Sequence, residues 1–324
     1  MKIAFLYYPR SSFVKQDWLI LSSYFRAERL GYRGPEDVLK MIRPVWRSDL
    51  MFAWFASGHS FAAVLLCKIL GKKSVVVAGG YDVACEPEIN YGQYTLARHK
   101  RMYADFVLRN ADIVLPVSEF TKSEVLAKAK PKRVQLLYPG VDTDKFRPKG
   151  EKEDLVMTVA SGSGSIIKLK GLDAFIGAAA LLPEVRFLVA GLSERDREEL
   201  RSRSTENVLL FGHVSQEQLV SFYQKAKVYC QLSYRESFGM ALAEAMACGC
   251  VPVVTERGAL PEVVGDAGIY VPYGNPRATA EAIEKAFSSR NGLEARKRVE
   301  EKFSLKRREE GLLSLSSSLI REPD

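Results

Sequence analysis

Two carboxylates stand eight positions apart in the run 236–249, which reads ESFGMALAEAMACG. Glu236 precedes a helical pattern, and Glu244 lies about one and a half turns inside it. The apolar run 227–232, KVYCQL, comes just before and reads as a strand. The helix is expected to open at Gly239-Met240 and to end at Gly249. A strand that feeds a helix through a small residue leaves backbone N–H groups at the helix start with no intrahelical partner, and such an end attracts anions. Gly239 lets a ligand come close to the backbone. With phosphates on the N–H groups of Phe238, Gly239 and Met240, the two acids can reach hydroxyls on either side. A nucleotide-sugar has that layout: a diphosphate flanked by two hydroxyl-bearing rings. Alone, Glu236 reads equally well as a solvated loop acid; the features around it favour the ligand.

A second stretch, 161–171, reads SGSGSIIKLKG and follows the predicted strand 155–160. Ser and Gly suit a loop whose backbone and hydroxyls meet phosphate. Lys168 and Lys170 add cations, against the plainer reading of surface lysines. The loop is no dinucleotide fingerprint: Gly162-x-Gly164 has no third glycine three residues on and no suitable acid about 20 residues later, which argues against a dehydrogenase.

Other elements must hold these residues. A chain of 324 residues suggests about two domains, each able to bury its own core. Predicted strands in the first half are 2–7, 49–55, 74–79, 112–117 and 134–137, with helical patterns at 58–70 and 91–109. In the second half they are 155–160, 185–190, 208–210, 228–232, 251–254 and 268–271. Strands alternating with helices imply parallel sheets covered on both faces, so the fold class is α/β with two Rossmann-like domains. The expected division is 1–140, a proline- and charge-rich linker 141–154, a second domain 155–303, and a helix over 304–324 free to pack back on the first. Ser118 reads as a helix cap in a strand-to-helix turn.

The run from Glu236 to Glu244, with Ser237-Phe238-Gly239 after the first acid, resembles the donor motif of retaining glycosyltransferases of the GT-B fold, family 4. The likeness continues through Cys248-Gly249-Cys250-Val251-Pro252-Val253-Val254, Gly258, Pro261-Glu262-Val263-Val264 and Gly268, and YPGVDTDKFRP is similar to the family's hinge. The resemblance implies two domains facing across a cleft, with the donor on the second and the acceptor on the first. It implies that Lys170, in the Lys-Gly pair, neutralises the diphosphate. Where the family has an arginine five residues earlier, this chain has Ser165, which leaves Lys168 as the candidate second cation. By the same resemblance Glu236 holds sugar hydroxyls, Glu244 the ribose, and Gly212-His213-Val214 meets the base. It implies retention of configuration, with the leaving phosphate taking the acceptor proton. The loop Gly79-Gly80-Tyr81-Asp82 lies where many relatives carry a His-Gly pair. That histidine is absent, so His59 is a candidate for its role, against the reading of a plain helix-start residue. Gly80, Tyr81, Asp82 and Arg10 are acceptor-side candidates, although Tyr7-Tyr8-Pro9-Arg10 departs from the family's Gly-rich first loop.

No cofactor is expected beyond a nucleotide-diphosphate sugar as donor substrate. The chain is read as free of Asp-x-Asp, no Cys-x-x-Cys occurs and only three histidines are present, so no metal is expected. The five cysteines suit a reducing compartment. No apolar run spans a bilayer, and MKIAFLYYP reads as a first strand and not a leader, so a cytoplasmic location is expected. Charge divides unevenly: residues 1–150 carry 24 Lys and Arg against 14 Asp and Glu, and the rest 23 against 25. A basic first half fits a glycan or lipid-linked acceptor that is anionic, an anionic membrane surface, or both. Arg10, Lys15, Lys100 and Arg101, beside Phe13 and Trp18, are candidate contributors. Nothing accompanies the charge that reads nucleic acid. A nucleotide-sugar epimerase, a phosphorylase-like enzyme and a non-catalytic nucleotide-sugar-binding partner share the fold. The short chain disfavours the phosphorylase, and retention of both Glu236 and Lys170 disfavours the non-catalytic partner.

Overall fold

The computed structural model describes residues 1–6, 12–32, 34–160 and 166–321. The chain forms two compact units, Met1–Gly140 together with the stretch from Lys306, and Val141–Leu305.

The first unit holds β1 (Lys2–Leu6), α1 (Ser12–Tyr24), β2 (Arg26–Leu30), α2 (Val38–Arg47), β3 (Leu50–Trp54), α3 (Gly58–Leu70), β4 (Lys73–Ala78), α4 (Arg98–Asn110), β5 (Ile113–Pro116) and α5 (Glu119–Lys128). Its sheet runs β2-β1-β3-β4-β5, all parallel. Strands buried on both faces read as unbroken apolar runs, as LMFAW of β3 does. Alternation sorts their side chains: Ala4, Leu6, Met51, Ala53 and Val76 join Met41 and Val45 of α2 and Ala63 and Val64 of α3 in one core. Phe5 and Phe52 face the other way and stack, centroids 5.3 Å apart, with Trp18 of α1 edge-on at 5.5 Å.

The second unit holds β6 (Glu153–Val159), α6 (Ile166–Lys170), α7 (Leu172–Leu181), β7 (Arg186–Ala190), α8 (Glu194–Arg201), β8 (Val208–Leu210), α9 (Gln216–Lys225), β9 (Ala226–Gln231), α10 (Met240–Ala247), β10 (Val251–Thr255), α11 (Leu260–Val264), β11 (Ile269–Val271), α12 (Pro276–Ser288) and α13 (Asn291–Lys302). Its six parallel strands run β11-β10-β9-β6-β7-β8. The order reverses between β6 and β9, which are neighbours in the sheet although far apart in sequence. At such a reversal the connections leave in opposite directions and open a crevice at the carboxyl ends of the strands.

The last helix, α14 (Leu305–Arg321), packs on the first unit. Arg308 reaches Asp17 of α1 through Nε at 3.0 Å and Nη2 at 2.6 Å, and donates to the Leu137 carbonyl at 2.7 Å.

Three expectations need correction. Residues 134–137 form no strand: Val134 makes a single bridge to Val114 at the sheet edge. The helix expected over 91–109 begins at Arg98, because a 3-10 turn, Gln93–Thr95, uses the preceding residues. Trp18 and Phe13 do not flank an exposed basic patch: Trp18 is buried under the Arg29 guanidinium at 4.6 Å, and Phe13 leans on Trp54 at 4.7 Å. The segment 141–154 is tied into the second unit: Val141 N–H donates to the Phe303 carbonyl at 2.7 Å, and Phe146 packs against Tyr223.

Candidate active site

Lys170 ends α6, and Glu236 stands in the loop between β9 and α10. Each element follows one of the two strands at the reversal point. Two glycines allow the approach. Gly171 has φ +65°, and a Cβ there would lie 2.0 Å from the Leu232 carbonyl oxygen. Gly258, φ +61°, lies so close to Glu236 that a Cβ would sit 2.2 Å from its carbonyl oxygen. The backbone after β6 therefore touches the end of β9 on one side, and the loop after β10 touches it on the other. No side chain fits at either contact.

The result is an ion pair. Lys170 Nζ donates to Glu236 Oε2 at 2.6 Å, with the side chains 17% and 16% exposed. Two residues that the sequence did not single out hold the carboxylate. Gln231 Nε2 donates to Glu236 Oε2 at 3.2 Å and to Ser233 Oγ at 2.7 Å, and Ser233 Oγ lies 3.4 Å from the same carboxylate oxygen. Tyr229 OH donates to Gln231 Oε1 at 3.1 Å, which turns the amide so that its NH2 faces Glu236. Thr255, at the end of β10, fixes the Ser233 carbonyl at 2.7 Å. The signal for Gln231 was a polar residue at the end of an otherwise apolar strand, buried and within five positions of the key acid.

The remaining donor-side residues divide by contact. Phe238 is buried edge-on against Phe303, so its ring anchors the loop and its backbone remains at the helix start. Gly239 is the N-cap of α10 and Met240 its first residue. Ser237 is buried and accepts from Arg235 Nη1 at 3.0 Å. Glu244 lies on α10 with Tyr223 OH 3.4 Å from its Oε2, and burial pushes its carboxyl up to about 7. Lys168 is exposed, two residues back on the short α6, while its carbonyl accepts from Tyr273 OH at 2.7 Å. Gly212 accepts through its carbonyl from Gly191 N–H at 3.0 Å; His213 is exposed and Val214 half-buried beyond β8. Ser165 and the rest of the loop 161–165 lie outside the described residues.

The first-unit candidates have separate surroundings. His59 is fully engaged: Nε2 lies 2.7 Å from the Trp54 carbonyl and Nδ1 2.7 Å from Ser57 Oγ. A carbonyl only accepts, so the proton sits on Nε2 and the Ser57 hydroxyl donates to Nδ1. Burial holds the imidazole pKa below its ordinary value, partly offset by the bond to Trp54. A ring with both nitrogens occupied at a helix start fits the structural reading better than the catalytic one. Asp82 is buried and accepts from the N–H of Ala56 at 2.8 Å and of Gly80 at 2.7 Å, so it shapes the loop. Tyr81 is exposed, edge-on to Tyr91. Arg10 lies outside the described residues.

One Asp-x-Asp does occur, away from the donor loops: Asp142-Thr143-Asp144, a correction to reading the chain as free of that pair. There Asp142 Oδ1 accepts from the N–H of Asp144 at 3.2 Å and of Lys145 at 3.0 Å, which is a turn-capping role. Among the described residues no cluster of three His, Cys, Asp or Glu is placed to hold a metal ion.

The second unit is a doubly wound α/β unit with a lysine, an acid and a helix start at its reversal point. The family model for glycosyl transferases group 1 matches residues 142–304, half of the chain, and the chain belongs to that family. It is 34% identical over 180 residues to a D-inositol 3-phosphate glycosyltransferase of Mycobacterium sp. strain JLS, a match covering 49% of this chain and 40% of the relative. It is 24% identical over 299 residues to a phosphatidylinositol N-acetylglucosaminyltransferase polypeptide of Arabidopsis thaliana, covering 83% and 67%. The chain thus spans about two fifths of the mycobacterial relative's length. The solved structure of Anabaena Alr3699/HepE in complex with UDP and glucose superposes with a TM-score of 0.80 at 17% identity, over 98% of this chain and 100% of that one, and places the fold in the GT-B class.

Proposed function

We propose that the protein transfers a sugar from a nucleotide-diphosphate sugar to a hydroxyl of an anionic acceptor, with retention of configuration and without a metal ion. The observation that carries this reading is the 2.6 Å pair of Lys170 and Glu236 at the reversal point, beside the start of α10. The bond between the anomeric carbon and the diphosphate oxygen breaks, and negative charge grows on the departing oxygen. A fixed cation and aligned N–H groups stabilise that charge more in the transition state than in the ground state. Lys170 exchanges its carboxylate partner for the diphosphate, and Glu236, still held by Gln231 and Ser233, accepts from sugar hydroxyls. Glu244 accepts from the ribose. The acceptor oxygen attacks on the face the diphosphate leaves, and its proton passes to the leaving phosphate oxygen.

Two relatives carry names that refer to inositol 3-phosphate and phosphatidylinositol. Together with the basic first half of the chain they support a phosphorylated polyol, free or lipid-linked, as acceptor, and peripheral association with an anionic membrane from the cytoplasmic side. A thermal-shift series with UDP, GDP, ADP and their sugars tests the donor half, because a ligand of the native state alone raises apparent stability. Stabilisation by one diphosphate, lost in Lys170→Ala, is the expected result. The same preparation with radiolabelled donor and either inositol phosphate or phosphatidylinositol tests transfer, and absence of any nucleotide effect would reject the reading.

A further inference from the structure

Helix α2 carries more exposed apolar side chain than a solvated helix needs. Its sequence is VLKMIRPVWR, with no acid in it. At 100° per residue it divides into three sectors. Met41 and Val45 are buried in the core of the first unit. Leu39, Ile42 and Trp46 share a second sector and are 75%, 40% and 60% exposed. Lys40, Arg43 and Arg47 share the third, all exposed. Lys40 pairs with Asp37 at 2.6 Å. The neighbouring α3, which shares the same core, adds exposed Leu65 and Ile69. A tryptophan, a leucine and an isoleucine in water beside a row of cations form the pattern of a helix that lies in a lipid headgroup layer.

The same helix borders a cavity of about 550 Å³, lined by Pro44 and Arg47 of α2, by Lys2 of β1, and by Arg26 and Glu28 of β2. Three cations face one carboxylate there. The cavity lies at the amino ends of β1 and β2, the end of the sheet opposite the loops that carry Gly80 and Tyr81. It is therefore separate from the acceptor-side loops.

We propose that α2 and this cavity form a docking face for anionic phospholipid: Leu39, Ile42 and Trp46 enter the interface, Arg43 and Arg47 meet lipid phosphates, and the cavity with Lys2, Arg26 and Arg47 admits one phosphate headgroup. Charge complementarity selects the occupant. The apolar row alone would suit a protein partner as well, but Arg43 and Arg47 beside it and the basic cavity match a surface of phosphates. The proposal rests on the reading of a lipid-linked acceptor and assigns it a surface.

Trp46 also supplies a probe. The chain has three tryptophans, and Trp18 and Trp54 are buried. Intact protein is floated with vesicles of phosphatidylcholine alone and of phosphatidylcholine with phosphatidylinositol, while tryptophan emission is recorded. Flotation and a blue shift with the anionic vesicles only are expected. Leu39→Gln/Trp46→Gln should abolish flotation, and Arg43→Gln/Arg47→Gln should weaken partitioning on the order of thirty-fold, with stabilisation by the donor nucleotide unchanged in both. If wild type floats and both variants float as well, the assignment to α2 is overturned while the lipid reading stands. If wild type does not float, the docking face is overturned, and transfer to a water-soluble inositol phosphate would still uphold the enzyme. Displacement by millimolar inorganic phosphate at constant ionic strength would make the cavity a free-phosphate site and overturn the lipid arm. A change from dimer to monomer in Leu39→Gln/Trp46→Gln, without vesicle binding by wild type, would make the face a contact between copies.

Discussion

The two units each contain a 2.6 Å ion pair, and the pairs differ in almost everything else. Arg308 and Asp17 are 1% and 2% exposed, whereas Lys170 and Glu236 are 17% and 16% exposed. Asp17 takes both arms of the guanidinium and also accepts from Trp54 Nε1 at 2.9 Å, and the guanidinium lies 5.5 Å from the Trp54 ring centroid. Its fork is used up, and two elements distant in sequence are joined. Lys170 is a point charge on a flexible stem at the end of a five-residue helix, and its partner keeps neutral donors, Gln231 and Ser233. A bidentate buried pair fixes structure, and a lysine with accessible surroundings can change partner at modest cost. An ion pair on its own therefore says little about role; the completeness of its surroundings says more.

The largest expected effect tests the buried pair. Arg308→Ala strands the Asp17 carboxylate and should cost about 3–5 kcal/mol of stability, read as a large fall in the denaturation midpoint of the first unit. Arg308→Met/Asp17→Leu should recover most of it, since a buried pair replaced by apolar groups is often neutral. Lys170→Ala should do the reverse: turnover falls about 10²–10³-fold, the scale of one lost oxyanion donor, with melting nearly unchanged. Glu236→Ala should behave likewise. Equal loss of stability in Lys170→Ala and Arg308→Ala would erase the distinction between a structural and an exchangeable pair.

A smaller effect comes from Glu244. Its folded pKa of about 7 lies above the ordinary carboxylate value, so the folded state binds more protons than the unfolded one between about pH 4.5 and 7. Its contribution to stability is thus lost as pH rises through that window. Ribose hydroxyls donate to the ionised form, so nucleotide affinity should rise as pH increases toward 7, with proton release on binding. Calorimetry in buffers of different ionisation enthalpy measures that release, and Glu244→Gln should remove it. The smallest expected effect is none: EDTA should leave the rate unchanged. Full loss on chelation with rescue by Mg²⁺ would transfer the charge-neutralising role from Lys170 to a metal.

The donor side was legible because its residues are consecutive. Glu236 to Gly249 and Lys170-Gly171 declare themselves by type and spacing, and the alternation of strand and helix fixed two parallel sheets. What escaped lies across sequence distance or inside apolar patterns. Gln231 and Ser233 read as the tail of a strand, and their aim at Glu236 depends on Tyr229 and Thr255. The edge strand β2, RAERL, looks like a solvated turn because only Leu30 is buried. Asp17 and Arg308 carry no mutual signal over an interval of 291 residues. Trp18 and Phe13 look interfacial beside Lys15, but α1 turns both onto aromatic rings of the sheet, whereas Leu39, Ile42 and Trp46 stay outside on the far side of α2.

The pairing of Val141 with Ser304 carries a consequence for the order of folding. Val141 N–H donates to the Phe303 carbonyl, and Leu305 N–H donates to the Val141 carbonyl at 2.8 Å, so the second unit releases the chain beside the point where it received it. Closing an unfolded loop of that length costs on the order of 4–5 kcal/mol in its length-dependent part alone. Once the second unit has folded, that entropy is already lost, and α14 is delivered close to the segment that ends at Gly140. The final helix of the first unit should therefore lock last, and a protease cut that unravels the second unit should also loosen the first.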